Sequence, residues 1–269
     1  MKKRICLCFY GITRNTAKTY PYIQKNIIEE LREDYDLKTF CHFFELTELN
    51  NPTSGEIGVK IKNDWDTFNP YKLKTEKPDL FLEKTSFEKI KKYGDPFEDK
   101  FKSLKNFLHE IYSLKQVFNL AKKYSPSIYI FTRPDLIYWD SFKRAISYQE
   151  KNEGNIISIP YWQSHYGLND RFAICNSDYS ASIFANRIDL IESFCTKNKE
   201  GLHSEKLVEY AINRSYCHIK LMGIRASRVR ANNKIVNEVF GLCRKGFFRT
   251  LKHNIFNKSI NKIKSLYKN

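Results

Sequence analysis

An arginine and an aspartate separated by one proline, Arg133-Pro134-Asp135, directly follow the apolar run 127–132. In an open α/β sheet, ligands sit outside the carboxyl ends of the strands, so polar residues just after a buried strand face the ligand crevice. Pro134 fixes its own φ and biases Arg133 toward extended geometry, which sets the two side chains in a defined relation. A carboxylate at Asp135 can hold a divalent cation, Mn2+ or Mg2+, that bridges two phosphates, while the donor fork of Arg133 suits a phosphate directly. The other reading is an Arg–Asp ion pair that caps the strand end.

A second polar break, Gly11-Ile12-Thr13-Arg14-Asn15, follows the apolar run 5–10. A glycine there allows close backbone approach, and Thr13 and Arg14 can meet a pyrophosphate or a base, although the spacing is not that of a dinucleotide fingerprint and a plain turn reads equally well. Arg225, Arg228 and Arg230 could reach the same anion or be solvated. His165, His203 and His218 have no metal-ligand spacing, which favours solvated or packed imidazoles.

These positions need a sheet to present them. The runs 5–10 and 37–44 flank a stretch in which Tyr22, Ile23, Ile27, Ile28 and Leu31 recur at helical spacing, which makes a βαβ unit with buried parallel strands. Periodicity is then lost over 45–100, which reads as an insertion with enough aromatics to pack. Phe101, Leu104, Phe107, Leu108, Ile111, Leu114, Val117, Phe118 and Ala121 step by threes and fours, so an amphipathic helix leads into the strand 127–132. Extended pieces are expected at 136–139, 156–159, 171–175, 217–221 and 224–229, and helices at 181–194 and 203–213. The expected architecture is a mostly parallel, Rossmann-type central sheet flanked by helices over 1–232, followed by a tail over 233–269.

The chain has 269 residues, 42% of them hydrophobic and 15% aromatic, enough for a substantial core and inconsistent with disorder. A net charge of +16 points to anionic partners. The dense basic cluster lies in the tail, where Arg244, Lys245, Arg249, Lys252, Lys258, Lys262, Lys264 and Lys268 occur without an acidic residue, and Phe248, Leu251, Ile255, Ile260, Ile263 and Tyr267 fall near one helical face. Such a basic amphipathic helix suits an anionic membrane surface, or packing on the domain with solvated charges. No run approaches the ~20 apolar residues of a membrane span. Seven cysteines without a paired framework suggest reduced thiols in a cytoplasmic protein, peripheral at the inner face of the membrane. A nucleic-acid-binding protein fits the charge, but the basic residues are spread and no known nucleic-acid motif is present, so nucleic acid is not expected as a partner. A non-catalytic α/β protein is the remaining alternative.

Gly11 and Arg14 after the first strand, Arg-Pro-Asp at 133–135 and Asn169-Asp170-Arg171-Phe172 together resemble the glycosyltransferases of bacterial and large-virus surface-polysaccharide loci, such as those making lipopolysaccharide and capsule. The resemblance covers about 5–229 and implies a GT-A fold, with Arg-Pro-Asp standing where the family has its Asp-x-Asp metal motif. It further implies a nucleotide-sugar donor and transfer of a hexosyl group to a hydroxyl of a glycan or lipid-linked acceptor. Gly11, Thr13, Arg14 and Arg133 would then hold the donor and Asp135 the metal. A carboxylate base near the acceptor hydroxyl would be Asp170 or Glu205; the alternatives are an ion pair or turn for Asp170 and a first-turn helix residue for Glu205.

Overall fold

The computed structural model describes residues 2–51, 54–82 and 86–266, with side chains to residue 257 at the C-terminal end. The first strand, β1 (Arg4–Gly11), leads into α1 (Thr16–Ile23), which passes through a π turn at Gln24–Ile28 into α2 (Glu29–Leu31) and then to β2 (Asp36–Phe44). Next come a hairpin, β3 (Glu48–Asn51) and β4 (Glu56–Lys60), a 3-10 turn at Trp65–Phe68, β5 (Lys72–Glu76) and the short α3 (Phe87–Lys91). The long α4 (Lys102–Lys122) precedes β6 (Ile128–Thr132), β7 (Leu136–Tyr138), α5 (Lys143–Lys151), β8 (Ile156–Pro160) and β9 (Ala173–Cys175). The chain finishes through α6 (Asp178–Ala185), α7 (Ile191–Asn198), α8 (Ser204–Asn213), β10 (His218–Met222), β11 (Ala226–Arg228) and α9 (Arg244–Leu266).

Seven strands form one sheet in the order β10-β8-β9-β6-β1-β2-β5. All neighbours run parallel except β9, which is antiparallel to both β6 and β8. The chain grows from β1 outward through β2 to β5 and then crosses back to place β6 on the other side of β1. The switch point of the sheet therefore lies between β1 and β6, at whose carboxyl ends open α/β sheets bind their ligands. This is the mostly parallel α/β sheet that the sequence predicts.

Period-two alternation divides the strand side chains between two buried layers. Cys6, Cys8, Tyr10, Tyr129 and Phe131 pack under Leu114, Val117, Phe118 and Ala121 of α4 and under α6 and α8. Ile5, Leu7, Phe9, Ile128 and Ile130 pack on the other face against Ile23, Ile27 and Leu31 and against Phe142, Trp162 and Phe172. Every residue of β6 is buried, as a central parallel strand covered on both faces requires. All seven cysteines are free and six are buried, so they serve as small core residues.

Three sequence expectations change. The segment 45–100 is not a simple insertion, because β5 within it forms the edge of the main sheet beside β2. Its sequence, Lys-Leu-Lys-Thr-Glu, is too polar and short to carry a strand period, as befits a charged edge. The helix expected over 181–194 is two helices joined by a 3-10 turn at Asn186–Leu190. The pieces 136–139 and 224–229 leave the main sheet and pair with each other as the antiparallel ribbon β7–β11.

Candidate functional site

Gly11 closes β1 with φ +102°, a value that disfavours any side chain, and its N–H donates to Ser113 Oγ at 2.8 Å. This turn carries Arg14 toward the end of β6. There Arg133 meets Asp135 in a bidentate pair, Nε to Oδ1 and Nη2 to Oδ2, both at 2.9 Å. The third face of the guanidinium donates to Glu110 Oε2 of α4 at 2.8 Å. Arg14 Nη1 lies 3.6 Å from Asp135 Oδ2 and 3.7 Å from Glu56 Oε2, and Arg230 Nη1 is 3.8 Å from the same Glu56 oxygen. Glu56 is fully buried at the start of β4 and also accepts the Ala231 N–H. Three of the residues expected at the donor site thus come together, Arg14, Arg133 and Asp135, while Gly11 ends the strand that leads to Arg14 and bonds to Ser113. Thr13 does not join them, because it is buried with its hydroxyl donated to the Lys62 carbonyl.

Burial alone would raise the Asp135 carboxyl, but Arg133 and then Arg14 hold it well below the usual carboxylate range. Burial pushes Glu110 up against the opposing pull of Arg133, with Asp170 and Asp135 adding to the rise. The fit of a divalent cation follows from these donors. Both oxygens of Asp135 are engaged by Arg133, a second guanidinium stands close by, and no group of three or more His, Cys, Asp or Glu side chains among the described residues could hold a metal ion. A cation at Asp135 would have to displace Arg133 and sit among arginines, so the residues present do not fit one. The strand-end ion pair, raised as the alternative from sequence, is the arrangement seen here.

Beyond Glu110 the strip continues to the loop before β9. Asp170 is half-buried and lies within electrostatic reach of Tyr10, Glu110, Arg171, His203 and Glu205. It forms no hydrogen bond or ion pair with any described residue, whereas Glu56, Glu110, Asp135, Glu205 and Glu238 are all engaged. Its neighbour Arg171 pairs with Glu238 at 3.3 Å, and Arg228 donates to the same carboxylate at 2.7 Å. Arg225 lies apart, clamped on Asp140.

Glu205 opens α8, and its Oε2 accepts the backbone N–H groups of Tyr166 and Gly167 at 2.8 and 3.2 Å. Burial raises its carboxyl, partly offset by those two donors. This carboxylate holds the loop that carries Asp170. His203 lies beside Phe97 and Tyr166, and burial lowers its imidazole, which favours the neutral form. Gly167 seats the loop on the helix so closely that a Cβ there would fall 2.1 Å from the Glu205 carbonyl oxygen. Gly167→Ala is therefore expected to cost about 1–3 kcal/mol through overpacking, read as a lowered midpoint in urea denaturation.

No protein-family model matches the chain, and no curated protein sequence matches it. Among solved structures, mouse xyloside xylosyltransferase 1 in its apo form aligns at TM-score 0.41 and 9% identity over 82% of this chain and 85% of that one. The galactosyltransferase LgtC, in complex with donor and acceptor sugar analogues, aligns at TM-score 0.39 and 9% identity over 78% and 70%. A Bacillus anthracis protein described as a glucose-1-phosphate thymidylyltransferase, in complex with sucrose, aligns at TM-score 0.36 and 8% identity over 84% and 89%.

Several residues of the strip escaped the sequence reading. Glu110 sits between Leu108 and Ile111 of α4, one acid beside an apolar stripe, which is a faint signal. Glu56 and Glu238 carry none, because Glu56 meets its arginines through distant chain segments and Glu238 joins the distant Arg171 to Arg228, ten residues before it, at no helical or strand spacing.

Proposed function

We propose that the chain transfers a sugar, of the hexosyl class, from a nucleoside-diphosphate sugar to a hydroxyl of a glycan or lipid-linked acceptor in surface-polysaccharide biosynthesis. The observation that carries this reading is the unpaired Asp170 carboxylate on the same strip as an arginine group at the sheet's switch point. Arg14 contributes Nε and Nη1 groups that are buried without hydrogen-bond partners, which makes it the first candidate for an incoming phosphate. In the reaction, the bond from the anomeric carbon to the diphosphate oxygen breaks and a bond to the acceptor oxygen forms. The acceptor proton passes to Asp170, while the departing diphosphate keeps the electron pair and is held by arginine donors. Arg133 and Asp135 set the position of this group through their buried pair, and Glu205 positions the Asp170 loop.

The test is binding of uridine and guanosine diphosphates and their sugars, followed by thermal shift, with EDTA or with added Mn2+ or Mg2+. A bound donor raises the melting temperature in proportion to its differential affinity for the folded state. The expected result is a shift with at least one nucleotide sugar that persists in EDTA and is lost in Arg14→Met. No shift with any nucleotide under either condition would overturn the transferase reading; a shift seen only with Mn2+ or Mg2+ would restore a metal at Asp135.

A further inference from the structure

Helix α9 docks on the domain through a polar face. Thr250, His253 and Asn257 are buried on it, and a Cβ on Gly246 would fall 2.5 Å from Ser164 Cβ. The His253 imidazole and the Asn257 amide both reach the Cys217 carbonyl, at 2.8 and 2.9 Å. Asn254 straddles β10, accepting the Ile219 N–H and donating to the Ile219 carbonyl. These contacts fix the rotation of the helix about its own axis.

At about 100° per residue, Phe248, Leu251 and Ile255 then project from the side opposite Gly246, Thr250, His253 and Asn257. They are 63%, 45% and 57% exposed, and Phe247 and Phe256 on the flanks are also exposed. A surface helix ordinarily turns its apolar stripe to the core and its polar face to water. Here the polarity is reversed, so the apolar stripe faces outward. The basic residues Arg244, Lys245 and Lys252 lie among these side chains, and no acidic residue follows Glu238 in the sequence. Ile260, Ile263 and Tyr267, expected to extend the stripe, lie outside the described side chains.

We infer that the outer face of α9 binds the surface of an anionic lipid bilayer. Phe248, Leu251 and Ile255 enter the boundary between headgroups and acyl chains, and Arg244, Lys245 and Lys252 meet lipid phosphates. The charged side chains that α9 itself carries are all basic, and Glu209 of α8 pairs with Arg249 on the flank of the docked side, so the charge of the outer face suits an anionic sheet of headgroups over a protein partner. No helix among the described residues is long and apolar enough to cross a membrane, so the contact is in the plane of the surface. The same helix holds the Asp170 loop: Arg249 donates to the carbonyls of Ser164 and Gly167 at 3.0 and 3.1 Å. Resting on the transferase reading, this places an acceptor carried by a lipid beside the candidate base.

The full chain is sedimented with vesicles of phosphatidylcholine alone or with phosphatidylglycerol added. Binding is expected only to the anionic vesicles, weakened by about 0.5 M NaCl through screening. The triple variant Phe248→Ser, Leu251→Ser, Ile255→Ser is expected to lose at least about tenfold in vesicle affinity while keeping its melting temperature, since these side chains are exposed. Equal vesicle binding by wild type and triple variant would overturn the inference. So would a concentration-dependent dimer that the triple variant abolishes, together with no vesicle binding by the wild type. Neither readout requires turnover or a nucleotide, so the inference and the transferase reading fail separately.

Discussion

Asp170→Asn is expected to lower sugar transfer by about 10²–10⁴-fold, the range for removing a general base. The substitution keeps the shape of the side chain and removes its ability to take a proton. Asp170 makes no hydrogen bond or ion pair with the described residues, so its loss leaves no partner stranded. Stability should therefore change by no more than about 0.5 kcal/mol, as for a substitution away from structural features. Donor binding by thermal shift should also survive, because the proposed phosphate contacts lie with Arg14 and Arg133. The measurement is product formation at saturating donor and acceptor, alongside urea denaturation of both proteins. Transfer within threefold of the wild type would remove Asp170 from the mechanism. Glu205→Gln provides the contrast: its carboxylate already binds two backbone N–H groups, so a loss there would act through the position of the loop.

Arg133→Met is expected to destabilise the fold by about 3–5 kcal/mol, the cost of breaking a buried ion pair from one side. The guanidinium is the shared partner of Asp135 and Glu110, and its removal leaves two carboxylates facing each other in a buried site. Methionine keeps much of the volume, so a cavity contributes little. The pH dependence identifies the cause. In the wild type the Asp135 carboxyl is depressed on folding, so its contribution is present above the unfolded value of about 3.9 and is lost as pH falls through the lower folded value. In the variant, burial raises Glu110 without the pull of Arg133, and Asp135 keeps only the weaker pull of Arg14 and Arg230, so the folded state gains from protonation as pH falls. The stability gap between the two proteins should therefore narrow from pH 7 to pH 4 in denaturant titrations. A gap below about 1 kcal/mol at pH 7, or one that widens in acid, would show that Arg133 does not support this pair.

The centre of the fold was legible because central parallel strands are apolar on both faces. The runs at 5–10 and 127–132 became β1 and β6, and the polar residues directly after each meet at the switch point. The stepping pattern of α4 was equally plain, since one face of that helix covers the sheet. Edges were harder. Strand β5 gains its place by pairing with β2, while its lysines leave no alternation to read. Glu56 meets Arg14 from more than forty residues away, and Glu238 joins Arg171, more than sixty residues back, to Arg228, ten residues before it on a separate strand, so no helical or strand spacing distinguishes them from solvated acids. The orientation of α9 was also hidden, because periodicity identifies an apolar face without saying which face docks. Hydrogen bonds from His253, Asn254 and Asn257 decide that, and they depend on strand β10 being in place.

Strand β9, the antiparallel member between β6 and β8, has a consequence for synthesis on the ribosome. The strands β1, β2, β5 and β6 have all been translated by residue 132, but the partner that covers the outer edge of β6 is residues 173–175. At about 5–20 residues per second, that edge waits roughly 2–9 s for its neighbour. It is an apolar row, Ile128–Thr132, with unpaired backbone groups, the kind of edge that invites pairing with another chain. Nascent chains stalled between residues 132 and 173 would present it longest, and a holdase chaperone would find its binding segment there.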